Sequence, residues 1–569
     1  MTQSCGCSPH CTVSNKENNI GRNLKTILYN PRVSCPTWNA FLIALIILVF
    51  GQVVHFDFVY YDDYVYTVGK INKGNLWSPQ FLYWALTSTD DGFWAPLTKI
   101  SHRVDTHVFG DNAHGHHLIN LILHTLNALI LWRVLCRLTG DGLLQFLSVC
   151  IFTLHPLRIE PVAWIAGRKD LLSTFFLLLM LHKYMNWKYS RTKSDYLKVL
   201  LFFFLSALSK PVSIIFPLFL PVLDFLIVGN KEQEKDNISL LKQLLLYVPF
   251  FIISLFILLI TIHAEQEAIV PTGVLSPLQR IRRVIVSSSA YALLTFVPIN
   301  LHIPSGIEYY PFFTVYKGVP VYDRVQVVIF SLLVLSVVST FWIFSPKNIK
   351  IGVGSFLLFL IPLLPVLGII PFGHHLIADR FTYSAHIGFS LFLVTLSTRL
   401  YGITKRLYNV LLFLLILSFA TVTVIKLPVW ENGEKLFRNT LKYEPNCYVS
   451  YCNIGYSLIK QGRYSEAIPC LKRAIEENPL LAGPYNDLAF AYQSLGRYDD
   501  ALVYYEKCIQ LSGEDPQILS NVAVLYFELG DYEKSKSFAE KALKKNNDIK
   551  NAQHILEKIE QIEKSKLGG

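Results

Sequence analysis

The stretch Trp38-Asn39-Ala40-Phe41-Leu42-Ile43-Ala44-Leu45-Ile46-Ile47-Leu48-Val49-Phe50-Gly51-Gln52-Val53-Val54 carries no charge over its whole length. As a helix it would be about 25 Å long, close to the ~30 Å hydrocarbon core of a bilayer. It starts too far from the N-terminus, and lacks the small-residue cleavage site, of a secretory leader, so it reads as an uncleaved anchor. Similar apolar stretches follow at about 116–135, 142–157, 170–187, 196–209, 212–228, 240–262, 325–344, 351–370, 382–398 and 407–427. Composition agrees: 52% of the 569 residues are hydrophobic and only 16% charged, more than the buried core of a soluble protein accounts for. The pattern predicts an all-α, polytopic membrane helix bundle of about 11 spans over 38–427, preceded by a polar cytoplasmic tail, 1–37.

Charge sets the expected orientation. With eleven crossings and the N-terminus inside, the cytoplasmic loops hold 19 Lys+Arg in 90 residues and the outer loops 14 in 153, as the positive-inside rule requires. One more stretch, 284–303, is interrupted by Ser287, Ser288, Ser289, Pro298, Asn300, His302 and Pro304. Counted as a crossing it would put Lys347, Lys350, Arg399, Lys405 and Arg406 outside, so it reads as a re-entrant or interfacial element. An odd number of crossings places everything after residue 427 on the outer side.

Beyond Pro428 both composition and period change. Residues 1–427 hold 34 Lys+Arg against 21 Asp+Glu, whereas 428–569 hold 18 against 20. Gly462-Arg463-Tyr464, Gly496-Arg497-Tyr498 and Gly530-Asp531-Tyr532 lie 34 residues apart, and Gly455, Ala489, Ala523 and Ala467, Ala501, Ser535 keep the same step. This period predicts an α-solenoid of helix–turn–helix repeats at about 448–481, 482–515 and 516–549, a half-repeat from Trp430 to Tyr443, and a capping helix with Ile549, Ala552, Ile555, Ile559 and Ile562 on one side. Such a stack offers a concave groove to a protein partner and no chemistry of its own.

Chemistry is expected in the outer loops. The first opens His55-Phe56-Asp57-Phe58-Val59-Tyr60-Tyr61-Asp62-Asp63. Adjacent carboxylates diverge on either a helix or a strand, so Asp62 and Asp63 are not a facing acid/base pair; one can act while the other orients. The acting carboxylate can take a proton from an acceptor hydroxyl, or the two can hold a divalent cation. Asp63 is favoured as the base by a small margin. The loop His155-Pro156-Leu157-Arg158-Ile159-Glu160-Pro161-Val162-Ala163-Trp164-Ile165-Ala166-Gly167-Arg168-Lys169-Asp170 places cations beside an aromatic where apolar helices emerge. Arg158 and Arg168, with Lys210 and Arg380 on the same expected face, suit a lipid-linked phosphate, since guanidinium groups bind phosphate through paired donors. His155, Glu160, Asp170, Asp379 and Tyr383 would shape that site. Cys5, Cys7, His10 and Cys11 lie in a polar terminal segment, and the histidines at 114, 116, 117, 124, 374 and 375 lack ligand spacing, so no metal site is assigned to either group. No phosphate-binding glycine loop and no nucleic-acid-binding pattern is present.

Taken in order, Tyr61-Asp62-Asp63, Trp94-Ala95-Pro96-Leu97-Thr98, His117-Leu118-Ile119-Asn120 with Leu123-His124, His155-Pro156 with Glu160, Gly167-Arg168 and Asp170-Leu171-Leu172, Ser209-Lys210-Pro211, Pro298-Ile299-Asn300-Leu301 and Ala378-Asp379-Arg380-Phe381-Thr382-Tyr383, followed by the repeats, form one ordered set. The set resembles the transmembrane and tetratricopeptide-repeat-containing O-mannosyltransferases and their prokaryotic relatives, of the GT-C class of membrane glycosyltransferases. The resemblance implies inverting transfer of a sugar, mannose in that family, from a polyprenyl- or dolichyl-phosphate donor to a Ser or Thr hydroxyl of a protein on the outer or lumenal face, with an acidic loop residue as base. The membrane would be a prokaryotic cytoplasmic membrane or that of the endoplasmic reticulum; the one Asn-x-Ser/Thr sequon, Asn237-Ile238-Ser239, falls on the expected cytoplasmic side. Two other classes fit the same bundle: a membrane-anchored repeat scaffold, and a transporter of lipid-linked sugars.

Overall fold

The computed structural model describes residues 36–59, 62–63, 78–88, 94–139, 142–227, 240–264, 277–298, 314–316, 319–321, 332, 349–367, 377–443, 445–547 and 549–567. The expected span 325–344, the N-terminal cysteines, the sequon, His374, His375 and the end of 284–303 lie largely or wholly outside them. The fold is all-α, with one two-stranded antiparallel hairpin, β1 (Thr314–Tyr316) and β2 (Val319–Val321), in which Thr314 faces Val321.

The bundle starts with α1 (Pro36–Phe50), continued by a 3-10 turn to His55. Two short helices, α2 (Pro79–Thr87) and α3 (Pro96–Phe109), each start on a proline, which has no amide proton to leave unpaired there. Next come α4 (Ala113–Thr139), α5 (Leu143–Leu154), the short α6 (Ile159–Ala163) and α7 (Arg168–Ser190). The α7 helix turns at Arg191, φ 51°, into α8 (Lys193–Ser209), capped by Thr192. Then follow α9 (Phe219–Ile227), α10 (Leu240–Ala264), α11 (Pro277–Phe296), α12 (Ile349–Leu360) and α13 (Thr382–Lys426).

Among the described residues four helices are long and apolar enough to cross a membrane: Thr37–His55, Ala113–Thr139, Leu244–Ala264 and Leu407–Trp430. Leu48, Ile252, Leu255, Phe256 and Phe413 lie exposed on them, an outer surface suited to lipid and not to water. This is a membrane protein. Several expected spans are not straight helices, 351–370 among them, where α12 passes into a 3-10 turn at Ile361–Val366. The stretch 142–157 breaks at His155-Pro156, where the chain bends by 56°, because a residue before proline is pushed to extended backbone. The stretch 212–228 starts as a 3-10 turn, Pro211–Leu218, with prolines at both ends of its core.

The 45 residues of α13 are not one straight helix: the chain folds back within them, and the second arm continues as the span Leu407–Trp430. Tyr408 Oη donates to the Leu393 carbonyl at 3.0 Å, whereas fifteen residues of straight helix would separate them by about 22 Å. The rings of His386 and Phe419, one from each arm, both meet His155, at 4.9 and 4.4 Å. The two stretches 382–398 and 407–427 therefore form a hairpin whose open end faces the 155–168 loop.

After α13 come α14 (Gly433–Leu441) and three helix pairs: α15 (Tyr448–Lys460) with α16 (Tyr464–Glu477), α17 (Ala482–Ser494) with α18 (Tyr498–Ser512), and α19 (Pro516–Glu528) with α20 (Tyr532–Lys545). The final helix is α21 (Lys550–Leu567). Gly462, Gly496 and Gly530 turn each pair at φ 72–78°, the left-handed region where a side chain is strained. Ala467, Ala489, Ala501, Ala523 and Ser535 are fully buried where the helices touch. Ala552, Ile555 and Ile559 of α21 cover the last pair.

Candidate active site

Asp63 is fully buried and both of its oxygens accept backbone amides: Oδ2 from Val59 at 2.9 Å and Oδ1 from Ala166 at 3.0 Å. Burial nevertheless holds its acid up at about 6, against 3.8 ordinarily, with the two amides pulling the other way. It pins the acidic loop to the loop before α7, a link of 103 residues in sequence. Asp62 is half-buried, and its charge acts on Lys169 and Arg380. Both Asp63 oxygens are engaged, so a cation held jointly with Asp62 would have to displace the Val59 or the Ala166 amide.

Arg168, expected from the sequence to bind phosphate, is turned toward α3 and α4. Its guanidinium is buried: Nε donates to Asn120 Oδ1 at 2.7 Å, Nη1 to Ser101 Oγ at 3.2 Å and to the Asp105 carboxylate, and Nη2 to the His116 carbonyl at 2.7 Å. With its donors spent on α3 and α4, Arg168 is a tie between helices. Asn120 completes the tie by donating to the Trp164 carbonyl at 2.9 Å. Ligand atoms of His102, Asp105 and His116 lie within 4.8 Å of one another. Asp105 is already paired with Arg168, whose positive charge in the same pocket opposes a metal cation.

Arg158 is enclosed as well, its guanidinium over the rings of Tyr383 at 4.8 Å and Phe152 at 5.2 Å. Its Nη2 donates to Thr382 Oγ1 and to His386 Nδ1, each at 3.0 Å. His386 passes the chain on to Thr295 Oγ1 at 3.0 Å. His155 accepts the Leu157 amide on Nδ1 at 3.1 Å and donates from Nε2 to the Thr295 carbonyl at 2.9 Å, which fixes the bend. Tyr383 Oη donates to His124 Nδ1 at 2.7 Å and accepts from Asn127 at 3.2 Å. Arg158, His155 and Tyr383 thus hold the α13 hairpin against α4 and α11.

Lys169, Lys210 and Arg380 are differently placed, and the charge of Asp62 acts on the first and the last of them. Arg380 pairs with Glu160, which also accepts the Arg380 amide at 2.9 Å, and its guanidinium lies between the rings of Trp164 and Phe381, at 5.3 and 5.0 Å. Lys210 pairs with Asp170 and stands over Phe381 at 4.9 Å. Lys169 stands over Trp164 at 5.4 Å. Lys210, Asp170 and Phe381 line a cavity with Ser213, Phe216 and Pro362. Asp379, buried beside this group, is pushed well above the ordinary carboxylate range by burial and by the charge of Glu160. Three cations on two aromatic faces, bordered by a half-buried carboxylate, can hold a phosphate next to a base.

Tetratricopeptide-repeat family models match residues 448–479 and 480–548. Protein O-mannosyl-transferase TMTC3 of Mus musculus is 22% identical over 430 residues, 70% of this chain and 46% of that protein. The chain is a relative of the TMTC proteins. TMTC4 of Mus musculus is 27% identical over 254 residues, 37% of this chain and 34% of the relative. TMTC2 of the same species is 33% identical over 107 residues, 18% of this chain and 13% of the relative. The matches span less than half the length of each of these TMTC proteins.

Sequence reading grouped Lys169 with Arg158 and Arg168 as cations suited to a lipid-linked phosphate, and it did not single out Asp105 or His386. Asn120 stood within a quoted motif with no function attached. The signal for Asn120 was a polar side chain inside an apolar helical stretch, which has to find a partner once buried, whereas Asp105 lies in the polar α3 and gave no such signal.

Proposed function

We propose that this chain is an integral-membrane glycosyltransferase of the O-mannosyltransferase kind. It moves a sugar, mannose by likeness to the TMTC proteins, from a polyprenyl- or dolichyl-phosphate to a Ser or Thr hydroxyl of a protein. The observation that carries the reading is the half-buried Asp62 at the edge of the Lys169, Lys210 and Arg380 cluster, while both oxygens of Asp63 are engaged. In this scheme Asp62 takes the hydroxyl proton as the acceptor oxygen attacks the anomeric carbon from the face opposite the phosphate, giving inversion. The bond from that carbon to the phosphate oxygen breaks, its electron pair stays with the phosphate, and the three cations hold the resulting charge. The side-chain cations take the part in charge neutralisation that a divalent ion at Asp62 and Asp63 would otherwise take.

The repeats offer the protein acceptor its surface. Their place on the outer or lumenal side of a multi-pass chain is supported by the 2.8 Å hydrogen bond from the Asp57 amide to the Glu431 carbonyl, which joins the acidic loop to the start of the repeats at one end of the bundle. The test is transfer of radiolabelled mannose from dolichyl-phosphate mannose to a Ser/Thr-rich protein by the purified full chain in vesicles. Transfer that is lost in Asp62→Asn is expected. Flipping of the lipid-sugar without transfer would replace the enzyme with a transporter, and neither activity would leave a scaffold.

A further inference from the structure

We infer that the segment Glu431–Gly433, which joins the membrane bundle to the repeats, positions the acidic loop for turnover, so that the repeats and the base act as one mechanical unit. Three contacts converge there. The Asp57 amide donates to the Glu431 carbonyl at 2.8 Å. Gly433 is pressed between the two halves of the protein: a Cβ on it would stand 2.7 Å from the Val59 carbonyl oxygen and 2.5 Å from Ser457 Oγ on α15. The Trp430 ring lies 6.3 Å from that of Trp164, whose faces carry Lys169 and Arg380.

Val59 is the pivot. It is fully buried, its carbonyl rests on Gly433, and its amide donates to Asp63 Oδ2 at 2.9 Å. A shift of α14 or α15 is therefore passed through Val59 to Asp63 and to its neighbour Asp62, with no flexible group between. Gly433 and the Glu431 carbonyl touch no reacting atom; they act through Val59 and Asp63. A carboxylate that must meet a hydroxyl at hydrogen-bond distance loses about 10²-fold in rate for a displacement of ~1 Å. A protein seated on the first repeat presses on the same helix that holds this contact.

The inference rests on the glycosyltransferase reading, and the full chain tests it from both sides of the contact. Gly433→Ala forces the Val59 backbone to move, because a carbonyl cannot yield as a side chain does. Asp57→Pro deletes the amide that the Glu431 carbonyl accepts and sets the ring Cδ against that oxygen, so it forces the same contact apart from the other side. Both should lower kcat with a peptide acceptor by roughly 10- to 100-fold while KM for dolichyl-phosphate mannose stays within about twofold. Ser457→Ala should match the unaltered chain, and combined with Gly433→Ala it should restore only part of the loss, since the Val59 carbonyl still blocks the new methyl. Wild-type kcat in Gly433→Ala and Asp57→Pro, both inserted and monodisperse, overturns the inference and leaves the functional reading intact. Failure of both to insert also overturns it, by making the contact one of folding. No transfer by the unaltered chain removes the functional reading and this inference together.

Discussion

Replacing Asp62 with Asn keeps its size and removes its charge, and the consequences for the base and for the phosphate site have opposite signs. As base, Asp62 contributes about 10² to 10⁴ in turnover, the usual worth of a positioned proton acceptor. As a neighbour of Lys169 and Arg380, it offsets cations that the donor phosphate also uses. Lys169, Lys210 and Arg380 are set against Glu160, Asp170 and Asp62, so the substitution leaves one positive charge in excess. At ~8 Å and an effective dielectric of about 20 that charge is worth roughly 2 kcal/mol, and the partial exposure of Asp62 reduces it to about 0.5–1 kcal/mol. The variant should bind dolichyl-phosphate mannose two- to fivefold more tightly while kcat falls by at least about 100-fold. Single-turnover transfer separates chemistry from product release, and equilibrium binding of the labelled donor gives affinity. Asp63→Asn should behave differently, because one of the amides of Val59 and Ala166 then faces an NH₂ group. That mismatch costs about 1–3 kcal/mol of stability and about tenfold in kcat through displacement of the loop. A normal Asp62→Asn beside a folded, donor-binding and inactive Asp63→Asn would exchange the two roles. Normal turnover in both would remove the acidic loop from catalysis.

Arg168→Lys should cost about 3–5 kcal/mol in thermal unfolding of the detergent-solubilised chain, since Asp105 loses its paired donors in a buried site, while the folded fraction binds donor normally; weaker donor binding at unchanged stability would return Arg168 to the phosphate site. Asp63 is raised from 3.8 to about 6 in the fold, so its protonated form is the favoured one; its contribution to stability is complete below about pH 4 and lost as the pH rises through about 6, a change of roughly 3 kcal/mol at most. The melting temperature should fall over that interval, and Asp63→Asn should flatten the profile; a profile unchanged by the substitution would rule Asp63 out as its source. Cysteines placed at Lys193 and Arg463 should react with an impermeant maleimide from opposite faces of sealed vesicles, and labelling of both from one face would overturn the eleven-crossing orientation.

The layers of this fold were legible because they are written as periods. Apolar stretches mark the membrane helices, and a 34-residue step marks the solenoid, down to the buried alanines at 467, 489, 501 and 523. The break at Pro156 was also in the sequence, since proline disfavours helix in the residue before it, but length and hydropathy alone gave 142–157 as one segment. The role of Arg168 was not legible. An arginine at the end of an apolar stretch looks the same whether it reaches outward to a phosphate or inward to Asp105, and that choice depends on a partner 63 residues away in a helix too short and polar to stand out. Asp62 and Asp63 were likewise indistinguishable until Ala166, over a hundred residues on, claimed one of them.

The pairing of the cations bears on how the base works under the proposed reaction. Three cations gathered without counter-ions would repel one another, and burial would drive protons off the lysines. Glu160 and Asp170 prevent this in the empty site by holding Arg380 and Lys210. An arriving phosphodiester brings negative charge to Lys169, Lys210 and Arg380, which its oxygens then share with Glu160 and Asp170. The same side chains that bind the donor border the base, which is why Lys210→Ala or Arg380→Ala should lower donor affinity and kcat together, whereas Arg168→Lys, acting through α3 and α4, should change neither in the folded fraction.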